Sequence, residues 1–110
     1  MGTNTKKVYI AGKVTGLNYR EAFTEFKKIE KDLIGQGYEV INPLEIVPSN
    51  NSWEDAMKIC IRELTSCYAI YLLPNWHQSR GAKLEAHIAS ELGLEFTGEE
   101  SCKNTILKIN

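Results

Sequence analysis

A short apolar run followed by a longer amphipathic one, in residues 68–92 (YAIYLLPNWHQSRGAKLEAHIASEL), decides the fold. Residues 68–73 have the composition of a strand covered on both faces, and Pro74 ends it because proline cannot donate to a sheet ladder. A helix then begins at Ser79 or a neighbour and reaches about Leu92, where Gly93 stops it. This order of strand, loop and helix is typical of a parallel sheet with crossover helices.

The same alternation extends toward both ends of the chain. Three further strands are predicted, at residues 8–11, 38–41 and 94–97. Apolar residues at helical spacing predict two further helices, at about residues 20–34 and 53–66. Right-handed crossovers then give an α/β fold, a small flavodoxin-like (Rossmann-like) three-layer sandwich with a parallel sheet of about four or five strands.

Length and composition limit the class of protein. The chain of 110 residues has a common size for one domain, so we predict a single domain over residues 1–110, with a core at about 7–97 and a tail at 98–110. A net charge of -1 without a basic run argues against a nucleic-acid partner. No apolar stretch has the length of a membrane span and no signal peptide is evident, so we predict a cytoplasmic protein with no membrane partner.

The cysteines indicate neither a disulfide nor a metal site. Cys60, Cys67 and Cys102 make an odd count without Cys-x-x-Cys spacing, and the histidines do not stand at ligand spacing. We interpret each thiol as a small hydrophobe and predict no metal and no cofactor.

A carboxylate occupies the inward face of the last helix. Residues at helical spacing form a stripe, with Ile88 beside it: Ala82, Glu85, Ala89 and Leu92. A charged group at a core-facing position is costly unless it is paired or functional, and this end of the helix faces the loops at the strand ends. Glu85 is therefore the candidate catalytic residue, expected in a pocket with a raised pKa. The alternative is an acid at the edge of the stripe that only favours the helix dipole.

Loops at the carboxyl ends of the first two strands supply candidate binding residues. Gly12 and Gly16 bracket Lys13 and Thr15, and two glycines there let backbone amides approach a phosphate or a sugar. Asn42 ends the second strand and opens a loop that reaches residue 51. The glycine spacing matches neither the dinucleotide fingerprint nor a P-loop, and by itself it is also compatible with a simple tight turn.

The loop after the central strand is the third candidate. Ser79, Arg80 and Gly81 combine a hydroxyl at a helix start, a guanidinium and a glycine that exposes amides, which suits an anion; the alternative is an ordinary serine cap. Trp76 either forms the wall of a base-binding pocket or caps the edge of the core. We interpret His77 as a solvated loop residue.

Together these segments resemble the DUF4406 family, which belongs with the nucleoside 2-deoxyribosyltransferase-like proteins. The resemblance covers about residues 7–97, and its specific parts are Tyr-Ile-Ala-Gly-x-x-Thr-Gly at 9–16 and Ser-Arg-Gly-Ala-x-x-Glu at 79–85. It implies that Glu85 attacks the anomeric carbon of a deoxyribose and releases the base, and that Tyr9 orients Glu85. Serine at position 79, where relatives that act on free nucleosides have aspartate, implies a nucleoside 5'-monophosphate as ligand.

The resemblance also carries departures and an expected assembly. Cys60 and Tyr68 stand where relatives have aspartates, the first of which protonates the leaving base, and Lys13 replaces a proline. Two functions from different classes therefore remain: a nucleotide N-glycosidase or deoxyribosyltransferase, and a protein that binds a small nucleotide or nucleoside as a sensor or sequestering protein. Relatives complete their sites with a neighbouring subunit, so a homodimer or higher homo-oligomer is expected.

Overall fold

The computed structural model describes residues 6–14 and 16–98. Thr15, Cys102 and the predicted tail beyond residue 98 lie outside the described residues. The elements are β1 (Lys7–Ala11), α1 (Tyr19–Gly35), β2 (Glu39–Ile41), α2 (Pro43–Ile46), α3 (Trp53–Leu64), β3 (Ala69–Leu72), a 3-10 turn (Trp76–Gln78), α4 (Arg80–Glu91) and β4 (Glu95–Gly98).

The strands form one four-stranded sheet in the order β2-β1-β3-β4. Each neighbouring pair is parallel, so the carboxyl ends of all four strands lie at the same edge. The predicted α/β class with a parallel sheet is confirmed. In such sheets, ligand sites form beyond the carboxyl ends of the strands.

The pleat of β1 divides the core into two apolar clusters. Val8 and Ile10 pack with the buried face of α1 on one side of the sheet. Tyr9 and Ala11 pack on the other side, with buried residues of α3 and α4. Because successive side chains of a strand point to opposite faces, Tyr9 is directed toward the same layer as α4.

A short helix, α2, stands where a loop was predicted. Asn42 precedes it, and the side-chain oxygen of Asn42 accepts a hydrogen bond from the Leu44 amide at 3.0 Å. Pro43 occupies the first helical position, where the missing N–H has no helical partner to lose. The pair that ends β2 therefore also begins a helix.

The inward stripe of α4 differs from the prediction at one end. Leu92 was expected inside, but α4 ends at Glu91 and Leu92 is 55% exposed. The chain leaves the helical conformation at Leu92, so the periodicity no longer sets the direction of its side chain. Ala86 is buried on α4 together with Ala82, Glu85 and Ala89. Among the described residues, no helix is both long enough and apolar enough to cross a membrane.

Candidate functional site

A cavity of about 600 Å³ lies at the carboxyl edge of the sheet. The loop after β1, helix α2, the first turns of α3 and the start of α4 surround it. Six of the residues predicted from the sequence line this cavity: Gly12, Lys13, Ser79, Arg80, Gly81 and Glu85.

Glu85 and Tyr9 form a buried hydrogen-bonded pair. The Tyr9 hydroxyl donates to Glu85 Oε2 at 2.6 Å, and Glu85 is only 5% exposed. Burial raises the pKa of Glu85 to about 7, although the hydrogen bond from Tyr9 acts in the opposite direction. Burial, with the nearby Glu85 and Cys60, raises the pKa of Tyr9 well above its ordinary value. Tyr9 is thus a neutral donor to a carboxyl group that changes charge near neutral pH.

Of the two positions where relatives have aspartates, only Cys60 lies at the site. Cys60 lines the cavity and belongs to the same core cluster as Tyr9. Burial raises the pKa of Cys60 to about 11, so the thiol keeps its proton at neutral pH. Tyr68 precedes β3, at the opposite edge of the sheet, and the Lys6 ammonium lies 4.2 Å from the centre of its ring.

The start of α4 presents donors to the cavity. Ser79 caps the helix, since its hydroxyl oxygen accepts a hydrogen bond from the Ala82 amide at 3.1 Å. Among the described residues, none accepts a hydrogen bond from the Arg80 or Gly81 amide. Free amides and the positive end of the helix dipole favour an anion at this place.

The glycine loop after β1 has a structural explanation. A side chain at Gly12 would place its Cβ 2.5 Å from Leu73 Cδ1, so packing alone requires glycine there. The Lys13 amide donates to the Asn75 side-chain oxygen at 3.0 Å, so this amide is already used within the protein. Gly16 has a φ of 86° and does not line the cavity. Lys13 is the charged residue of this loop that faces the site.

Asn42 and Trp76 are buried away from the cavity lining. Asn42 is 2% exposed; its side chain caps α2 and donates to Glu30 Oε1 at 3.2 Å. Trp76 belongs to the core cluster on the α3 and α4 side, the position that its alternative interpretation described. His77 is exposed.

Trp53 and Met57 line the cavity, although the apolar spacing around them predicted only a helix at about residues 53–66. Their positions in the first turns of α3 were the feature of the sequence that could have placed them near the site. That end of α3 follows α2 in the chain, and residues of its apolar face reach the cavity at the carboxyl edge of the sheet. The Arg80 guanidinium lies over Trp53, 3.6 Å from the centre of the ring.

The fold is shared with a solved structure. The "2-desoxiribosyltransferase from Leishmania mexicana" has a TM-score of 0.64 and 19% sequence identity to this chain, over 84% of this chain and 63% of that one. The chain thus spans less than two thirds of that protein, and at this identity the likeness shows the fold alone. A search of curated proteins finds no match. The family described as "Domain of unknown function (DUF4406)" matches residues 6–97, and the chain belongs to that family.

Proposed function

We propose that the protein cleaves the N-glycosidic bond of a deoxynucleoside 5'-monophosphate, with Glu85 as the nucleophile. The observation that carries this proposal is the 2.6 Å hydrogen bond from Tyr9 to a carboxyl group buried in a cavity at the carboxyl edge of the sheet. The fold shared with a structure titled a 2-desoxiribosyltransferase supports a nucleoside-type ligand. Pairs of this kind, a nucleophile and a group that orients it, are typical of covalent catalysis.

The reaction takes two displacements. Tyr9 holds Oε2 of Glu85, so we assign the attack on the anomeric carbon to Oε1. A bond forms between Oε1 and C1', the C1'–N bond breaks, and its electron pair leaves with the base, which takes a proton from water. Water then attacks C1', the ester bond breaks to return the carboxylate, and the proton of the water goes to solvent. A second base in place of this water makes the reaction a transfer.

The phosphate is assigned to the start of α4. The Ser79 hydroxyl, the two free amides and the Arg80 guanidinium supply donors, and Lys13 adds a positive charge from the loop after β1. An aspartate at position 79 would repel a phosphate, whereas a hydroxyl can donate to it. This arrangement favours a monophosphate over a free nucleoside.

A second function, nucleotide binding without turnover, is favoured by one observation. Among the described residues that line the cavity, Glu85 is the only carboxylate, and the Cys60 thiol, with a pKa of about 11, is a poor proton donor to a leaving base. General acid help is typically worth ~10²–10⁴-fold in rate. A protein that lacks it and still holds the ligand would act as a sensor or would sequester a nucleotide.

We also propose that the protein is a homodimer or higher homo-oligomer. The cavity lies at the rim of a sheet of four strands, and its lining includes the exposed residues Gln78 and Arg80. A second copy seated at this rim would add residues to the ligand site, as the family resemblance implies.

The decisive experiment incubates the protein with a panel of deoxynucleoside 5'-monophosphates and measures free base by chromatography and binding by calorimetry. Glu85→Gln should abolish base release, because the amide has the same shape but is not a nucleophile. Glu91→Gln is the matched control, because it makes the same change of charge at an exposed position of the same helix, and it should keep full activity. Turnover that persists in Glu85→Gln excludes the mechanism. Binding without turnover in the wild type selects the second function, and no binding excludes both.

A further inference from the structure

The cavity contains a stacked pair that the proposed chemistry does not use. Trp53 is the first residue of α3 and Arg80 the first residue of α4, and both line the cavity. The guanidinium carbon of Arg80 lies 3.6 Å from the centre of the Trp53 ring, which is close contact for a cation over an aromatic face. The pair therefore joins the two helix starts that face the site.

We propose that Trp53 is a positioning residue that holds Arg80 ready to bind the phosphate group of the ligand. The inference rests on the proposed function in one respect, that the ligand carries a 5'-phosphate. It adds a residue on a different helix from Glu85 and Ser79, and it makes selectivity for a phosphate monoester dependent on an aromatic ring.

Stacking leaves the Arg80 donors available. The face of a guanidinium rests on the ring, while its N–H groups lie in the plane of the group and point outward. The ion pairs found among the described residues belong to Lys27 and Lys58, and none includes Arg80. A ring, unlike a carboxylate, orients the arginine without competing with a phosphate for its donors.

Gly81 packs closely against α3. A Cβ at Gly81 would lie 3.0 Å from Met57 Sδ and 3.8 Å from Trp53 Nε1, so a larger residue would require the Met57 side chain to shift beside the pair. With Arg80 on its face, the Trp53 ring is covered on that side. A base stacked on the same face would have to displace the guanidinium.

The test compares binding of one deoxynucleoside 5'-monophosphate and its deoxynucleoside by calorimetry. Arg80→Gln should weaken monophosphate binding roughly 10- to 100-fold, the scale of a lost hydrogen bond to a charged group. Trp53→Leu should weaken it roughly 3- to 10-fold, the scale of a lost cation–π contact, while Trp53→Phe should restore most of the affinity. Arg62→Gln, the same charge change on an exposed part of α3, should have no effect. Nucleoside binding should change little in every variant.

A double-mutant cycle separates positioning from direct contact. If Trp53 acts through Arg80, Trp53→Leu should cost almost nothing in the Arg80→Gln background. Monophosphate binding should also change the tryptophan fluorescence of the wild type much more than that of Trp53→Phe. If Trp53→Leu does not fold, Trp53→Met, which also removes the ring but keeps more of its volume, and its double variant with Arg80→Gln give the same cycle.

Two results overturn the inference while leaving the proposed function intact. One is an equal loss of nucleoside and monophosphate affinity in Trp53→Leu, which would mean that the ring contacts the base or sugar. The other is a double variant whose loss of monophosphate affinity equals the product of the fold-losses in the two single variants, which would mean that Trp53 and Arg80 act independently. Failure of the wild type to bind any monophosphate overturns the proposed function and this inference together.

Discussion

At the scale of single residues, the ionisation of Glu85 should control the pH dependence of base release. Only the carboxylate attacks, and burial raises the pKa of Glu85 to about 7, so kcat/KM should rise through about pH 7 and level off above it. Tyr9→Phe removes a hydrogen bond that lowers this pKa, so the rising limb should move to higher pH. A kcat/KM profile for both proteins measures the shift, and a limb that stays in place in Tyr9→Phe would contradict the role given to Tyr9.

The same group should make stability depend on pH. Glu85 has a pKa of about 7 in the folded protein against 4.5 as the ordinary value, so the folded state binds this proton more tightly. The contribution of this proton to the free energy of unfolding is fully present below about pH 4.5 and is lost as the pH rises through about 7, where the buried carboxylate becomes charged and penalises the folded state. Glu85→Gln carries no such penalty and should be more stable than wild type at pH 8, by up to ~3 kcal/mol. Urea unfolding at pH 5 and pH 8 tests this expectation. Glu91→Gln is the control, and its free energy of unfolding should change between the two pH values as that of the wild type does.

At the scale of elements, two serine caps provide a matched comparison. Ser52 caps the start of α3 and Ser79 caps the start of α4, and each accepts a hydrogen bond from an amide three residues later, at 3.1 Å in both cases. Ser52→Ala and Ser79→Ala should each lower the free energy of unfolding by about 1 kcal/mol. Only Ser79→Ala should also weaken monophosphate binding, which calorimetry measures. Equal binding losses in the two variants would show that helix fraying, rather than the hydroxyl, is responsible.

Two glycines separate packing from helix propensity. Gly12→Ala should cost about 1–3 kcal/mol, because the new Cβ would lie 2.5 Å from Leu73 Cδ1 and force the loop after β1 away from β3. Gly35→Ala, at the end of α1 with no atom within 4 Å of the added group, should instead stabilise by about 0.4–1 kcal/mol. Denaturant midpoints of the two variants should therefore move in opposite directions. A Gly12→Ala variant as stable as the wild type would contradict the packing explanation.

Most helices and strands could be placed from the sequence because the apolar periodicity and the glycine or proline that ends each element agreed. The errors in element boundaries lie where only one of these two patterns was present. Asn42 and Pro43 were interpreted only as the end of a strand, although the same pair caps and opens α2. Leu92 kept the helical spacing of the stripe but lies just past the end of α4.

Some residues of the candidate site could be predicted from the sequence and others could not. Glu85 was identifiable because a charge on an apolar stripe is locally anomalous. Trp53 was not, since an aromatic residue on an apolar face has the same pattern whether it packs in the core or lines a cavity. Only the arrangement of α3 beside α4 brings it to Arg80.

At the scale of the whole molecule, light scattering tests the proposed assembly. At micromolar concentration, we expect the mass of a dimer or a higher symmetric oligomer, since one chain has a mass of 12.4 kDa and a site at the rim of its sheet. Addition of a monophosphate should leave or increase that mass, because ligand shared between copies favours association. A mass of a single chain under both conditions would contradict the proposal.

The pleat of β1 also allows the two sides of the protein to evolve separately. Tyr9 faces the layer of Glu85, whereas Val8 and Ile10 face α1, so each face of the sheet has its own set of neighbours. Phe26 and Leu33, in the α1 layer, do not line the cavity, so substitutions there act first on the stability of the fold. Stabilising substitutions can therefore accumulate in the α1 layer and offset destabilising substitutions among the residues that line the cavity. The same strategy applies to a directed-evolution library.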